Sequence, residues 1–420
     1  MLAAYGVVFG VAAVVTFLLT PIVWRVARRS GAVVVPDERR IHLRPTPTLG
    51  GIAMLGGLLA ALAVASRLRP LRSVFSSSEP IGLALAAAVI LAVGLLDDIR
   101  EVSAPAKVAG QVLAASVLAL AGVTMFFFRV PFAEFIALSP DYAFLVTVLW
   151  VVVMANAVNL IDGLDGLAAG LVAIASAAFF VYAYRLDGVG LLAPDNIAPL
   201  VVAATCGICV GFLPHNFHPA KVFMGDSGAL LLGLLMAAAT ISVGGRTADQ
   251  FSGQAYFFFA PLVIPFVILG VPFVDTALAI IRRVRRRAAL SQADKEHLHH
   301  RLLRQGHGPR RAVFILWAWT AILSGAVLVP TFTNEGNALV PFVAAGMAVI
   351  LYTLLHPGVR HTAEQAEAEL HEAEGVVAPE GVVAAAIETD PDSEAPLVVL
   401  VSAGEPVDRE TQALRKTDGG

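Results

Sequence analysis

Residues 142–166 read YAFLVTVLWVVVMANAVNLIDGLDG. Tyr142–Val158 is almost wholly apolar and runs into a polar cluster of Asn156, Asn159, Asp162 and Asp165, with Gly163 and Gly166 between them. A run of that length approaches the ~20 apolar residues that cross a bilayer core. A second apolar run, Leu167–Tyr184, begins at once on the far side. Asn159, Asp162 and Asp165 recur every third residue, so a continued helix would carry them on one face. Two carboxylates and an amide at the mouth of an apolar segment are costly without a partner. A divalent cation, or a phosphate-bearing substrate with its cation, would be such a partner.

The same alternation fills most of the chain. Of 420 residues, 57% are hydrophobic and only 15% charged, and mean hydropathy is +0.77. A soluble domain of this size does not need so much apolar sequence, and here it comes in bilayer-length blocks. The expected fold is all-α and polytopic, with about eleven transmembrane helices. They are Leu2–Trp24, Leu49–Ser66, Ile81–Leu96, Lys107–Phe128, Tyr142–Val158, Leu167–Tyr184, Ile197–Leu213, Ser227–Val243, Tyr256–Ile281, Ala312–Pro330 and Ala338–Leu355. The ninth contains Pro261, Pro265 and Pro272, so a broken helix is expected there. Met1–Trp24 lacks the basic start of a cleavable leader and reads as a first span. Cys206 and Cys209 share one apolar segment and lack the second pair that a zinc site needs, so they read as packing residues.

Net charge is −3, and its distribution says more than its sum. Arg25, Arg28, Arg29, Arg39, Arg40 and Arg44 cluster in one loop, and Arg282, Arg283, Arg285, Arg286 and Arg287 in another on the same side. The opposite side holds mainly Arg67, Arg69 and Arg72. Basic loops stay cytoplasmic, so the clustered side is expected to face the cytoplasm, with the N-terminus outside and the tail inside. Residues 1–356 then form a transmembrane domain. Residues 357–420 form an acidic, mostly disordered cytoplasmic tail without helical periodicity. Leu397–Val401 could pair as a short strand, with nothing obvious to support it.

The purposeful polar residues fall in the inner loops: 36–51, 97–107, 156–166, 214–227 and 291–307. Adjacent Asp97 and Asp98 repel, so at least one wants a cation or a raised pKa, unless both simply solvate a helix end. Lys107 can snorkel to the interface or meet a phosphate. Asp226 and Ser227 stand where an N-cap is expected, but Asp226 also suits Mg²⁺, which takes a few carboxylates plus substrate phosphates. Phe223 can stack on a base or pack at the interface. Asn216 lies in the same loop. His297, His299 and His300 can bind zinc or donate to a diphosphate, and the arginines around them favour an anion. Asp275 is an acid inside the ninth span, open to a site role or to pairing with Arg282. The loop 36–51, shaped by prolines and glycines, can bring Asp37, Arg39 and His42 to the same place. Carboxylates for Mg²⁺, cations for phosphates and an aromatic for a base fit phosphoryl transfer between a nucleotide and a membrane-held acceptor.

These residues carry a resemblance. PTPTLGG (45–51), LLDD (95–98), NLIDGLDG (159–166), HPAKVFMGDSG (218–228) and HLHH (297–300) together resemble the polyprenyl-phosphate N-acetylhexosamine-1-phosphate transferases. The resemblance implies transfer of a sugar 1-phosphate from a UDP-sugar to a polyprenyl phosphate, with release of UMP. It implies Mg²⁺ as cofactor, with Mn²⁺ as a possible substitute. By motif, Asp226 would hold the metal, with Asp162 beside it. Asp97 and Asp98 would handle the lipid phosphate, and Lys107 would neutralise charge. Asn159, Asp162, Asp165, Asn216 and Phe223 would shape the nucleotide site. His297, His299, His300, His42 and Arg39 would contact the phosphates or the sugar. The branch that uses UDP-N-acetylmuramoyl pentapeptide usually carries three consecutive histidines followed by Phe-Glu. HLHHRLL at 297–303 instead resembles the branch using UDP-N-acetylglucosamine. Direct attack by the lipid phosphate is the expected mechanism; an aspartyl-phosphate formed on the Asp97/Asp98 pair is the alternative. The expected partners are the UDP-sugar, the polyprenyl phosphate and the membrane, with no nucleic acid; a homodimer is left open. A transporter is the rival class, but it predicts mid-span acids and inverted repeats, whereas these acids gather at one face.

Overall fold

The computed structural model describes residues 1–30, 33–34, 46–100, 102–129, 135–244, 302, 307–333, 336–355, 382–388 and 397–402. The chain divides into two compact units, Met1–Val359 and Arg360–Gly420. The first is a helical bundle: α1 Leu2–Ser30, α2 Gly50–Ala65, α3 Glu79–Arg100, α4 Ala104–Leu120, α5 Pro140–Ile161, α6 Leu167–Gly188, α7 Ala198–Asn216, α8 Gly225–Gly244, α9 Pro309–Thr333 and α10 Val340–Leu355.

Among the described residues, seven helices are long and apolar enough to cross a membrane. An eighth is reached if α2 and the 3₁₀ segment Arg69–Ser76, bent from it by 106°, count as one span. This is the architecture of a multi-pass membrane protein. The fourth expected span is cut short. Gly122 at φ +109° ends α4 at Leu120, and Phe127–Arg129 turns instead into a short antiparallel ribbon with Phe135–Ala137. α4 is therefore apolar but short, and α10 is a short apolar helix too. The expected ninth span, its break and Asp275 lie outside the described residues.

Helix α8 forms the axis of the bundle. Its whole apolar window is buried, against about a quarter of that of α1. It packs on α2, α3, α5 and α7. Small residues make this possible, because without a hydrophobic drive between helices in lipid, close backbone approach supplies the contact. At Gly233 of α8 an added Cβ would come within 2.7 Å of the Met154 carbonyl of α5. Lipid-facing positions such as Leu18, Leu85 and Leu149 are exposed, as a bilayer solvent permits.

In the second unit, Val382–Glu388 pairs antiparallel with Leu397–Ser402. The strand expected at 397–401 therefore has a partner, which the sequence reading did not identify: another Val/Ala/Ile run of matching length.

Candidate active site

Four helices end close together. α3 carries Asp97 and Asp98 in its last turn and ends at Arg100, α4 starts at Ala104, α5 finishes at Asn159–Ile161, and α8 starts at Gly225. The short α3–α4 connection is tied by the Val102 amide donating to Asp97 Oδ1 at 2.8 Å. That tie turns Lys107, in the first turn of α4, back over the end of α3. Lys107 Nζ donates to Asp97 Oδ2 at 2.9 Å and also to Asp226 Oδ2. Asn159 Nδ2 lies 3.5 Å from the same Asp226 oxygen. Asp97, Lys107, Asn159 and Asp226 thus form one partly buried cluster.

Asp98 has a different task. Its Oδ1 accepts the Asp226 amide at 2.8 Å and its Oδ2 the Ser227 amide at 3.2 Å. It caps α8 from another helix, placing a carboxylate on free amides at the positive end of a helix dipole. The N-cap role expected of Asp226 therefore belongs to Asp98, and the Asp226 side chain is left to face Lys107. The approach is close: at Gly225, φ +68°, an added Cβ would meet Asp98 Oδ1 at 2.7 Å. At Gly51 it would lie 2.6 Å from the Gly228 amide. The PTPTLGG segment docks along the same loop, with the Phe223 amide on the Pro47 carbonyl at 2.9 Å and the Gly50 amide on the Phe223 carbonyl at 3.1 Å.

The 159–166 stretch does not share one helical face. α5 stops at Ile161, Asp162 is its C-cap, and Gly166 takes φ +77° before α6. Asp162 keeps part of its surface open, but protein packs densely round it. That packing pushes its carboxyl up to about 7, with the nearby charges of Asp98 and Asp165 adding to the effect. Asp165 is buried and bonded to the 214–224 loop. Its Oδ2 pairs with His218 Nδ1 at 2.7 Å and accepts the Ala220 amide at 3.0 Å. Asn216, also buried, bridges the same two loops, accepting from the Gly166 amide at 3.0 Å and donating to the Val222 carbonyl at 3.0 Å. Arg310 of α9 donates to the His218 carbonyl at 3.2 Å.

The fold thus brings together Asp97, Asp98, Lys107, Asn159 and Asp226. It sets Asp165 and Asn216 as loop brackets beside them, with Asp162 close to Asp98. Phe223 is half-buried on the adjoining loop. Arg39, His42, His297, His299 and His300 lie outside the described residues. Nothing in the sequence signals Gln111, while His218 lies in a quoted motif and Asn156 opens the polar stretch without a role of its own. A multi-pass helical bundle with carboxylates, a lysine and amides gathered at one end is suited to a phosphate-bearing group at the membrane edge.

Residues 80–244, from α3 to α8, match the family described as Glycosyl transferase family 4. A decaprenyl-phosphate N-acetylglucosaminephosphotransferase of Mycobacterium leprae (strain TN) is 40% identical over 354 residues, 81% of this chain and 88% of that protein. A probable undecaprenyl-phosphate N-acetylglucosaminyl 1-phosphate transferase of Bacillus subtilis (strain 168) is 36% identical over 77% of this chain and 84% of its own length. A phospho-N-acetylmuramoyl-pentapeptide-transferase of Desulforudis audaxviator (strain MP104C) is 35% identical over 75% of this chain and 94% of its own. The chain belongs to glycosyl transferase family 4, the family its motifs resemble.

Proposed function

We propose that the protein transfers N-acetylglucosamine 1-phosphate from UDP-N-acetylglucosamine to a polyprenyl phosphate, giving the polyprenyl-diphospho sugar and UMP. The observation that carries this reading is the convergence of Asn159 and Lys107, which also holds Asp97, on Asp226, at the shared ends of four apolar helices. A lysine among carboxylates at the membrane edge is placed to meet a lipid phosphate and a diphosphate together. The relatives named for N-acetylglucosamine transfer, and the HLHH motif, support this donor over the muramoyl pentapeptide nucleotide.

A divalent cation fits the residues present. The Lys107 ammonium already lies between two carboxylates. Asp162 accepts no hydrogen bond from a described residue, yet faces the charges of Asp98 and Asp165. Among the described residues no three His, Cys, Asp or Glu side chains stand close enough for an all-protein cage. That suits Mg²⁺, which keeps waters and completes its shell with substrate oxygens. Asp226 and Asp162 are the proposed holders, and the ion would stabilise the charge that develops on departing UMP.

In the direct scheme a polyprenyl-phosphate oxygen attacks the β-phosphorus of the donor. The bond from that phosphorus to the oxygen shared with the α-phosphate breaks, and UMP leaves with the electron pair. Asp97 and Lys107 position the acceptor phosphate, and Lys107 offsets charge in the transition state. Both Asp98 oxygens accept amides of α8, which favours direct attack over a phosphoryl adduct on that residue. We assign the site to the cytoplasmic side of the cell membrane, a reading supported by Arg25, Arg28 and Arg29 at the end of α1. With the shorter helices and 256–281 counted, the proposed topology has eleven spans. The test is a donor panel with purified protein and polyprenyl phosphate: UDP-N-acetylglucosamine, its galactosamine epimer and the muramoyl pentapeptide nucleotide. Turnover of the first is expected; turnover of the third alone would overturn the donor assignment.

A further inference from the structure

Gln111 of α4 and Asn156 of α5 take no part in the site described above, yet they are joined reciprocally. Asn156 Nδ2 donates to Gln111 Oε1 at 2.6 Å, and Gln111 Nε2 to Asn156 Oδ1 at 3.4 Å. Asn156 Nδ2 also donates to the Val152 carbonyl at 2.8 Å. Gln111 is fully buried. Apolar side chains of the same shape would fill this space without needing partners. What a buried amide pair adds is direction, because it is satisfied in only one axial register of the two helices.

The spacing shows what that register serves. Lys107 and Gln111 are four residues apart on α4, and Asn156 and Asn159 three apart on α5, so each pair shares a helix face. The amide pair therefore lies one turn from the point where Lys107 and Asn159 both reach Asp226 Oδ2. α4 has need of such a fixing. It is the short apolar helix of 17 residues, packs chiefly on α3 and α5, and leaves Val108, Val112 and Leu113 exposed.

We infer that Gln111 and Asn156 form a register clamp: positioning residues that hold α4 against α5 so that Lys107 and Asn159 converge on one oxygen of Asp226. The kinetic part of this inference rests on the proposed function; the structural part does not.

The test uses the full chain in detergent or nanodiscs. The variants are Gln111→Met, Asn156→Leu, the exchange Gln111→Asn with Asn156→Gln, and Asn156→Leu with and without Lys107→Met. Two properties are read: the acylation rate of Lys107 by an amine reagent, mapped by mass spectrometry, and the kinetics of UMP release. The clamp predicts that Lys107 acylates several-fold faster in Asn156→Leu and Gln111→Met, and that the exchange restores protection. It predicts a kcat loss of about 10–100-fold in the single variants, the scale of an ångström-sized misplacement. On the Lys107→Met background, Asn156→Leu should add less than about twofold, because no lysine remains to misplace. Unchanged Lys107 acylation with only a lowered melting temperature would make the pair a fold staple and overturn the clamp. So would penalties that multiply fully on the Lys107→Met background. A wild type that releases no UMP overturns the proposed function alone, since the acylation result still decides the clamp.

Discussion

Three aspartates that look alike in sequence occupy three environments. Asp97 pairs with Lys107, Asp98 caps α8, and Asp226 receives Lys107 and Asn159. Lys107→Met should therefore lower kcat about 10²–10³-fold, as loss of one positioned charge does, with the lipid KM rising less. Initial rates over both substrates check this. Asp162 gives a pH signature. Its folded pKa of about 7 stands above the 3.8 of an unperturbed aspartate, so between those values the folded state holds a proton that the unfolded state has lost. The stability it contributes is full below about 4 and is lost as pH rises through about 7. Asp162→Asn, neutral throughout, should melt above wild type at pH 8 without divalent cation and match it near pH 4. Equal melting at both pH values would contradict the assignment. Residue identity at the site was readable from carboxylates, amides and lysine at the ends of apolar runs. Which aspartate caps and which faces the lysine was not, because that depends on how α3 meets α8, a contact between residues well over 100 apart.

The elements meet through glycines. An added Cβ at Gly51 of α2 or Gly94 of α3 would run into the Ser227 backbone, the first turn of α8. Gly94→Ala should therefore lower both stability, by about 1–3 kcal/mol as overpacking does, and activity, by pushing Asp226 away from Lys107. Gly188→Ala, with nothing within 4 Å of its added Cβ, serves as the neutral control in detergent melting and UMP-release assays. Hydropathy predicted the helices well: α1, α3, α5, α6, α7 and α8 fall where apolar runs of bilayer length lie. It failed where local backbone chemistry overrides composition. Gly122 stops α4 within an apolar run. Asn159, Asp162 and Asp165 have the period of one helical face, but Gly163 and Gly166 release the chain into a turn.

At the scale of the whole molecule, a bundle built round α8 holds a polar cluster at one end, with much apolar surface left for lipid. That end is the proposed meeting place of a water-soluble nucleotide and a lipid phosphate, so the two substrates and the cation should be required jointly. The most direct measurement is UMP release by the purified full chain from UDP-N-acetylglucosamine, with polyprenyl phosphate and Mg²⁺ each present or omitted, alongside Asp226→Asn. The account predicts UMP only when donor, lipid and Mg²⁺ are all present, and loss of about 10²-fold or more in Asp226→Asn. UMP release that ignores the lipid, or an Asp226→Asn variant as active as wild type, would contradict it.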